Sequence, residues 1–107
     1  MIAKVTSISF REGAVETVTV EISDFVVPMP GPGATGTSPL ADLAMIALQG
    51  DRRATQVNWS RVAMTVISEI WYVDSERLNG ALSVEDARRL AGKKAKVVMV
   101  YYLKVRD

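Results

Sequence analysis

The segment 94–105, KAKVVMVYYLKV, constrains the fold more than any other part of the chain. Its odd positions are all apolar up to residue 105, which predicts a β-strand with one face in a hydrophobic core. The even positions are basic at both ends and apolar in the middle: Lys96, Val98, Val100, Tyr102, Lys104 and Arg106. Because this second face also has an apolar centre, we expect helices or a second subunit to cover both faces of the strand.

The first 27 residues predict an antiparallel β-hairpin. Residues 2–10 and 14–27 are rich in valine, isoleucine and threonine, and Gly13 lies where the turn is expected. In the second strand the apolar residues alternate regularly up to Ile22. The alternation breaks at Asp24-Phe25, which predicts a bulge or a twist that turns Phe25 and Val27 inward.

A loop rich in glycine and proline, residues 28–39, follows the hairpin. The separation of Gly31 from Gly36 is that of a phosphate-binding loop, but Thr37 stands where such a loop has its lysine. Pro32 and Pro39 also remove backbone N–H donors. We therefore expect a stiff connector or a protein contact rather than a nucleotide site, with Pro30 and Pro32 as contact candidates.

Three segments have the apolar spacing of a helix. Residues 38–50 have Ser38 as a candidate N-cap, Pro39 at the first turn and Gly50 at the end. Residues 83–92 have a capping pair, Ser83 and Asp86, before a stripe at Val84, Ala87, Leu90 and Ala91. Residues 55–74 match the helical template but are rich in strand-forming residues. We favour a helix there, with Trp59 and Trp71 on its apolar face, over a strand.

Length and composition limit the architecture and the chemistry. At 107 residues we expect a single domain over 1–107. There is no cysteine and no histidine, so the chain lacks thiolate or imidazole ligands and the usual nucleophile pairs. No catalytic residue, metal site or cofactor is expected. A carboxylate-only enzyme remains a minor alternative, because no group of carboxylates converges in the sequence.

Apolar residues make up 49% of the chain, or about 55% when the seven glycines are counted, against the usual range of about 45–50%. Either some surface is buried against a partner, or the core is rich in valine and alanine. No apolar run is long enough to span a bilayer, and the first residues lack the pattern of a signal peptide. We expect a cytoplasmic or particle-associated protein, with no membrane partner.

Charge is unevenly distributed, with eight basic and four acidic residues after position 75 and five basic and eight acidic before it. The basic side chains of the last strand could follow a phosphate backbone while Tyr102 stacks on a base. The candidates for this alternative, a single-stranded nucleic-acid-binding domain, are Lys96, Tyr102, Lys104 and Arg106.

The sequence thus predicts an α+β fold with an N-terminal hairpin, two or three helices and a C-terminal strand that completes a small sheet. A small β-barrel with one or two helices is the alternative. For function we expect a non-catalytic assembly protein that forms homo-oligomers or binds other subunits, such as a phage or viral structural component. The interface candidates are Val98, Val100, Tyr102, Pro30, Pro32, Trp59 and Trp71.

Overall fold

The computed structural model describes residues 1–12, 14–30, 38–54 and 57–105. Their order is β1 (Ile2–Arg11), β2 (Ala14–Val26), α1 (Ser38–Gln49), β3 (Val62–Val73), β4 (Glu76–Asn79), α2 (Val84–Leu90) and β5 (Lys94–Val105). Short 3-10 turns at Arg52–Ala54 and Trp59–Arg61 lie between α1 and β3. The prediction of an α+β fold with a small sheet is confirmed.

The five strands form one antiparallel sheet in the order β1-β2-β5-β3-β4. The C-terminal strand β5 therefore lies at the centre, between β2 and β3. Its odd residues Ala95, Val97, Met99, Tyr101 and Leu103 are all buried. This is the apolar face that the sequence indicated, and it forms the floor of the core.

Both helices pack on that same face. The core cluster includes Leu40, Ala44 and Leu48 from α1 and Leu90 from α2, together with the inward residues of β2, β3 and β5. Phe25 and Trp71 meet edge to face with ring centroids 5.8 Å apart. Such a pair contributes about 1 kcal/mol beyond simple burial.

The bulge predicted in β2 is confirmed. Asp24 has a φ of 54°, and the pairing of β2 with β5 shifts between Ile22 and Phe25. Because one extra residue enters the strand there, Phe25 and Val27 point into the core and are 6% and 1% exposed.

The helix predicted over residues 55–74 is wrong, because Val62–Val73 is strand β3. Its side chains Val62, Trp71 and Val73 face the core, and the register against β5 shifts between Val66 and Ser68. A bulge at Ile67 moves the inward side from even to odd positions. That change of parity produces the helix-like spacing in the sequence.

The predicted cap of α2 is confirmed, since the Ser83 hydroxyl oxygen accepts a hydrogen bond from the Asp86 backbone N–H at 3.0 Å. The predicted buried stripe is only partly right. Leu90 is buried and Ala87 half-buried, whereas Val84 is 56% exposed. A helix of seven residues brings only its C-terminal turn over the core.

Four predictions fall outside the described residues: the turn at Gly13, the middle of the 28–39 loop including Pro32, the capping role of the Ser38 side chain, and the role of Arg106.

Candidate interaction surfaces

One face of the sheet is left uncovered by the described residues. Between the bulges, inward and outward side chains alternate along each strand, and α1 and α2 both lie on the inner side. The register places one side chain from each of the five strands next to each other on the outer face. One such row is Lys4, Glu21, Val98, Ile70 and Asn79. We call this outer side the open face.

Three of the predicted interface residues lie on the open face. Val98 and Val100 are half-buried at its centre, and Tyr102 is 39% exposed. The alternative that helices of this chain cover both faces of β5 is wrong for the described residues, because both helices pack on the odd side. A second subunit on the even side stays a prediction.

The two tryptophans do not form a surface together. Trp71 is 2% exposed and packs in the core, so the prediction of a partner contact through its side chain is corrected. Trp59 is half-buried and packs against the edge of the core from a 3-10 turn. Pro30 is half-buried at the start of the glycine-proline loop.

The nucleic-acid candidates also meet on the open face. Lys96, Tyr102 and Lys104 are exposed there, while Arg106 lies outside the described residues. Lys94, which lies close to Lys96 in the sequence, is exposed on the same face. The sheet adds two cations that sequence reasoning did not include, Lys4 from β1 and Arg77 from β4. The grouping of these two with β5 depends on strand order, which no local pattern in the sequence contains.

Lys96 lies over the ring of its cross-strand neighbour Tyr72, with Nζ 4.9 Å from the centroid. This cation–π contact fixes one aromatic ring of the open face. Tyr102 has no such contact within the described part of the chain, so its ring stays available.

A second surface is the edge of β3. The short strand β4 pairs only with Ile70–Val73, and Gly80, with a φ of 85°, then turns the chain away. From Val62 to Glu69, no described strand pairs with that edge. Val66 and Ile67 are 45% and 57% exposed there. We call this segment the free edge.

A groove of about 680 Å³ continues the line of β4 along the free edge. Its walls include Val66, Ile67, Ile70, Arg77, Asn79 and Gly80. The groove has the position that a longer β4 would occupy.

The opposite edge of the sheet, β1, is protected. Its register against β2 shifts twice, with the extra residue at Thr6 of β1 and at Glu16 of β2. Nη2 of Arg53 donates a hydrogen bond to the Val5 carbonyl at 3.3 Å. The Asp51 carboxylate holds that guanidinium at 2.8 Å, and this hydrogen bond lowers the pKa of Asp51 and raises the pKa of Arg53.

A buried polar cluster lies under the free edge. Nε1–H of Trp71 donates to Oε2 of Glu69 at 2.7 Å, and Glu69 is 7% exposed. The hydroxyl of Tyr101 is buried without a hydrogen-bond partner among the described residues. Burial, and then the charge of Glu69, raise the pKa of Tyr101 to about 12.

Among the described residues, no group of three or more acidic side chains is placed to hold a metal ion. No described helix is long and apolar enough to cross a membrane.

Comparison with known proteins gives no relative: no family model, no curated protein and no solved structure matches this chain.

Proposed function

We propose that this protein is a non-catalytic assembly subunit, and that two copies associate by pairing their free edges. The observation that supports this proposal is the uncharged run Val62–Ser68, which lies at a sheet edge with Val66 and Ile67 exposed.

An unpaired strand edge presents a row of backbone donors and acceptors to which another strand can bind. The free edge spans eight residues, or about 27 Å at 3.4 Å per residue. A strand that enters the groove would continue the line of β4 and would cover the apolar side chains at the bulge. The preferred occupant is therefore an extended strand.

A second copy of β3 suits this edge. Antiparallel pairing of a strand with its own copy is symmetric about a two-fold axis, so each copy contributes the same surface. No charge lies between Val62 and Ser68, so no like charges meet across the axis. The two sheets would then join into one sheet of ten strands.

The open face is less suited to a face-to-face contact between two copies. It carries five cationic side chains in its paired positions and one acidic one, Glu21, so two such faces would repel each other. Val98, Val100, Tyr102 and the loop prolines stay predicted contacts for other subunits. The context of a phage or viral particle remains a proposal that rests on a small chain free of histidine and cysteine.

Light scattering over a range of protein concentrations tests the proposal. We expect a mass of at least twice 11.7 kDa at high concentration. The Ile67→Lys variant places a charge at the free edge and should return the mass to that of the monomer.

Ile46→Lys is the matched control, because Ile46 is 67% exposed on α1, away from the edge. Both variants should keep the same circular dichroism spectrum and melting temperature. A clean 11.7 kDa monomer for the unmodified protein at all concentrations would contradict self-association. Equal loss of mass in both variants would contradict the edge as its location.

A further inference from the structure

The open face holds the largest group of cations without an ion pair among the described residues. Elsewhere, Arg11, Arg53, Arg89 and Lys93 each form an ion pair with a carboxylate, while Arg61 and Arg88 are exposed without one. On the open face, Lys4, Arg77, Lys94, Lys96 and Lys104 form none within the described part of the chain.

We propose that the open face is a binding site for single-stranded nucleic acid. Five cations without an ion pair lie together on this surface, although the chain has a net charge of only +1. Such a patch attracts a polyanion and releases the counterions that surround its phosphates. The occupant is thus a ligand with many negative charges rather than a neutral strand.

The arrangement along β5 fits an extended chain of phosphates. Lys96 and Lys104 lie eight residues apart on the same face of one strand, or about 27 Å apart along it. Lys4 and Arg77 extend the positive area to β1 and β4, on opposite sides of β5. A single strand that follows β5 could contact several of these cations in succession.

The ring of Tyr102 gives the site a preference for nucleic acid over other polyanions. It lies two residues from Lys104 on the same face and is 39% exposed. A base can stack on such a ring only when it is unpaired, and stacking contributes about 1–3 kcal/mol per base. Thr17 and Thr65, the cross-strand neighbours of Tyr102, add hydroxyl groups beside the ring.

The shape of the face favours single strands over duplex. Reading the major groove requires a protruding helix or a two-stranded ribbon, and the open face is the side of a sheet. Single-stranded ligands instead bind to grooves and sheets that combine positive charge with exposed aromatic rings.

Fluorescence anisotropy with a labelled oligothymidylate of about 20 nucleotides tests the site at about 50 mM salt. We expect binding that weakens steeply as salt is added. Lys96→Glu and Lys104→Glu should each weaken binding roughly tenfold and lower the salt slope by about 0.7 per lost phosphate contact. Arg88→Glu is the matched control, since Arg88 is exposed on α2, on the other side of the sheet. It should change affinity by less than about twofold.

A second pair of variants separates stacking from charge. Tyr102→Leu should weaken oligothymidylate binding at least about fivefold and leave the binding of inorganic polyphosphate unchanged. Tyr102→Phe keeps an aromatic ring and should bind oligothymidylate as the unmodified protein does. The proposal is overturned by absence of oligonucleotide binding at low salt, by equal loss in Arg88→Glu, or by a Tyr102→Leu variant that binds both polyanions normally. The Ile67→Lys variant should still bind, so this test is independent of self-association.

Discussion

The indole N–H of Trp71 donates a hydrogen bond of 2.7 Å to the carboxylate of Glu69, two residues earlier on the same inward face of β3. The backbone carbonyl of Glu69 also accepts a hydrogen bond of 2.6 Å from Gly80 N–H. One residue thus fixes the core tryptophan and the end of β4. A carboxylate this deeply buried requires its donor, because an unpaired buried charge is strongly unfavourable.

We expect Trp71→Phe to lower the free energy of unfolding by about 3 kcal/mol or more, because it loses packing and leaves Glu69 without its donor. Glu69→Gln should lower the free energy of unfolding by less, since an amide oxygen can still accept a hydrogen bond from the indole N–H. Urea denaturation of both variants measures the difference. Equal destabilisation by the two changes would show that an amide at position 69 cannot replace the carboxylate as the acceptor.

Tyr101 gives the fold a dependence on alkaline pH. Its pKa is raised from 10.0 to about 12, so the folded state holds the phenol proton more tightly than the unfolded state does. The stabilisation is complete below pH 10 and is lost as the pH rises through 12. By linkage, the unfolding free energy should fall by about 2 kcal/mol over that range.

Absorbance of the phenolate, with urea denaturation at several pH values, measures this effect. Tyr101→Phe should remove that part of the fall in the unfolding free energy at alkaline pH. At neutral pH the variant should be as stable as the original protein or slightly more so, because the removed hydroxyl has no partner. A late-titrating phenol that persists in the variant would contradict the assignment.

Two glycines should resist substitution for reasons of backbone conformation. Gly80 and Gly92 have φ values of 85° and 84°, and a Cβ at either position would meet no atom within 4 Å. Alanine there is strained only by its backbone, which costs about 1–2 kcal/mol. Gly50→Ala is the matched control: its nearest contact is an ordinary 3.6 Å, and no left-handed φ is required. Thermal denaturation should therefore separate the first two variants from the third.

The sequence predicted well those elements whose pattern is local. The alternation of β5, the bulge before Phe25 and the Ser83 cap each depend on neighbouring residues, and the structure confirms them. The apolar stripe of α1 belongs to the same group, because Leu40, Ala44 and Leu48 recur at helical spacing and are buried.

The wrong prediction of a helix over residues 55–74 has a physical cause. On β3 the inward side chains change from even to odd positions at the bulge near Ile67, so a strand acquires helix-like spacing. The charged residue Glu69 also lies in the core, where a sequence pattern counts it as outward. The high content of β-branched residues indicates a strand more reliably than the apolar spacing does, because composition does not depend on register.

The candidate surfaces could be predicted only in part. Lys96, Tyr102 and Lys104 share a face of one strand, so their grouping follows from alternation alone. Lys4 and Arg77 join them only through strand order, which is set by contacts between distant parts of the chain. The free edge likewise depends on β4 being shorter than β3.

The protection of β1 by Arg53 leads to a prediction about association at the other edge of the sheet. Arg53→Ala removes the donor that occupies the Val5 carbonyl, and should allow additional strand pairing there. Light scattering of the Arg53→Ala variant should then give a larger mass than the unmodified protein has. That mass should also rise more steeply with protein concentration. Arg88→Ala, which removes an exposed arginine from α2, is the control and should leave the mass unchanged.

A double variant separates the two edges. Combining Arg53→Ala with Ile67→Lys should leave only association through β1, since the two edges lie on opposite sides of the sheet and act independently. If the double variant is a monomer, the side chain of Arg53 does not protect that edge.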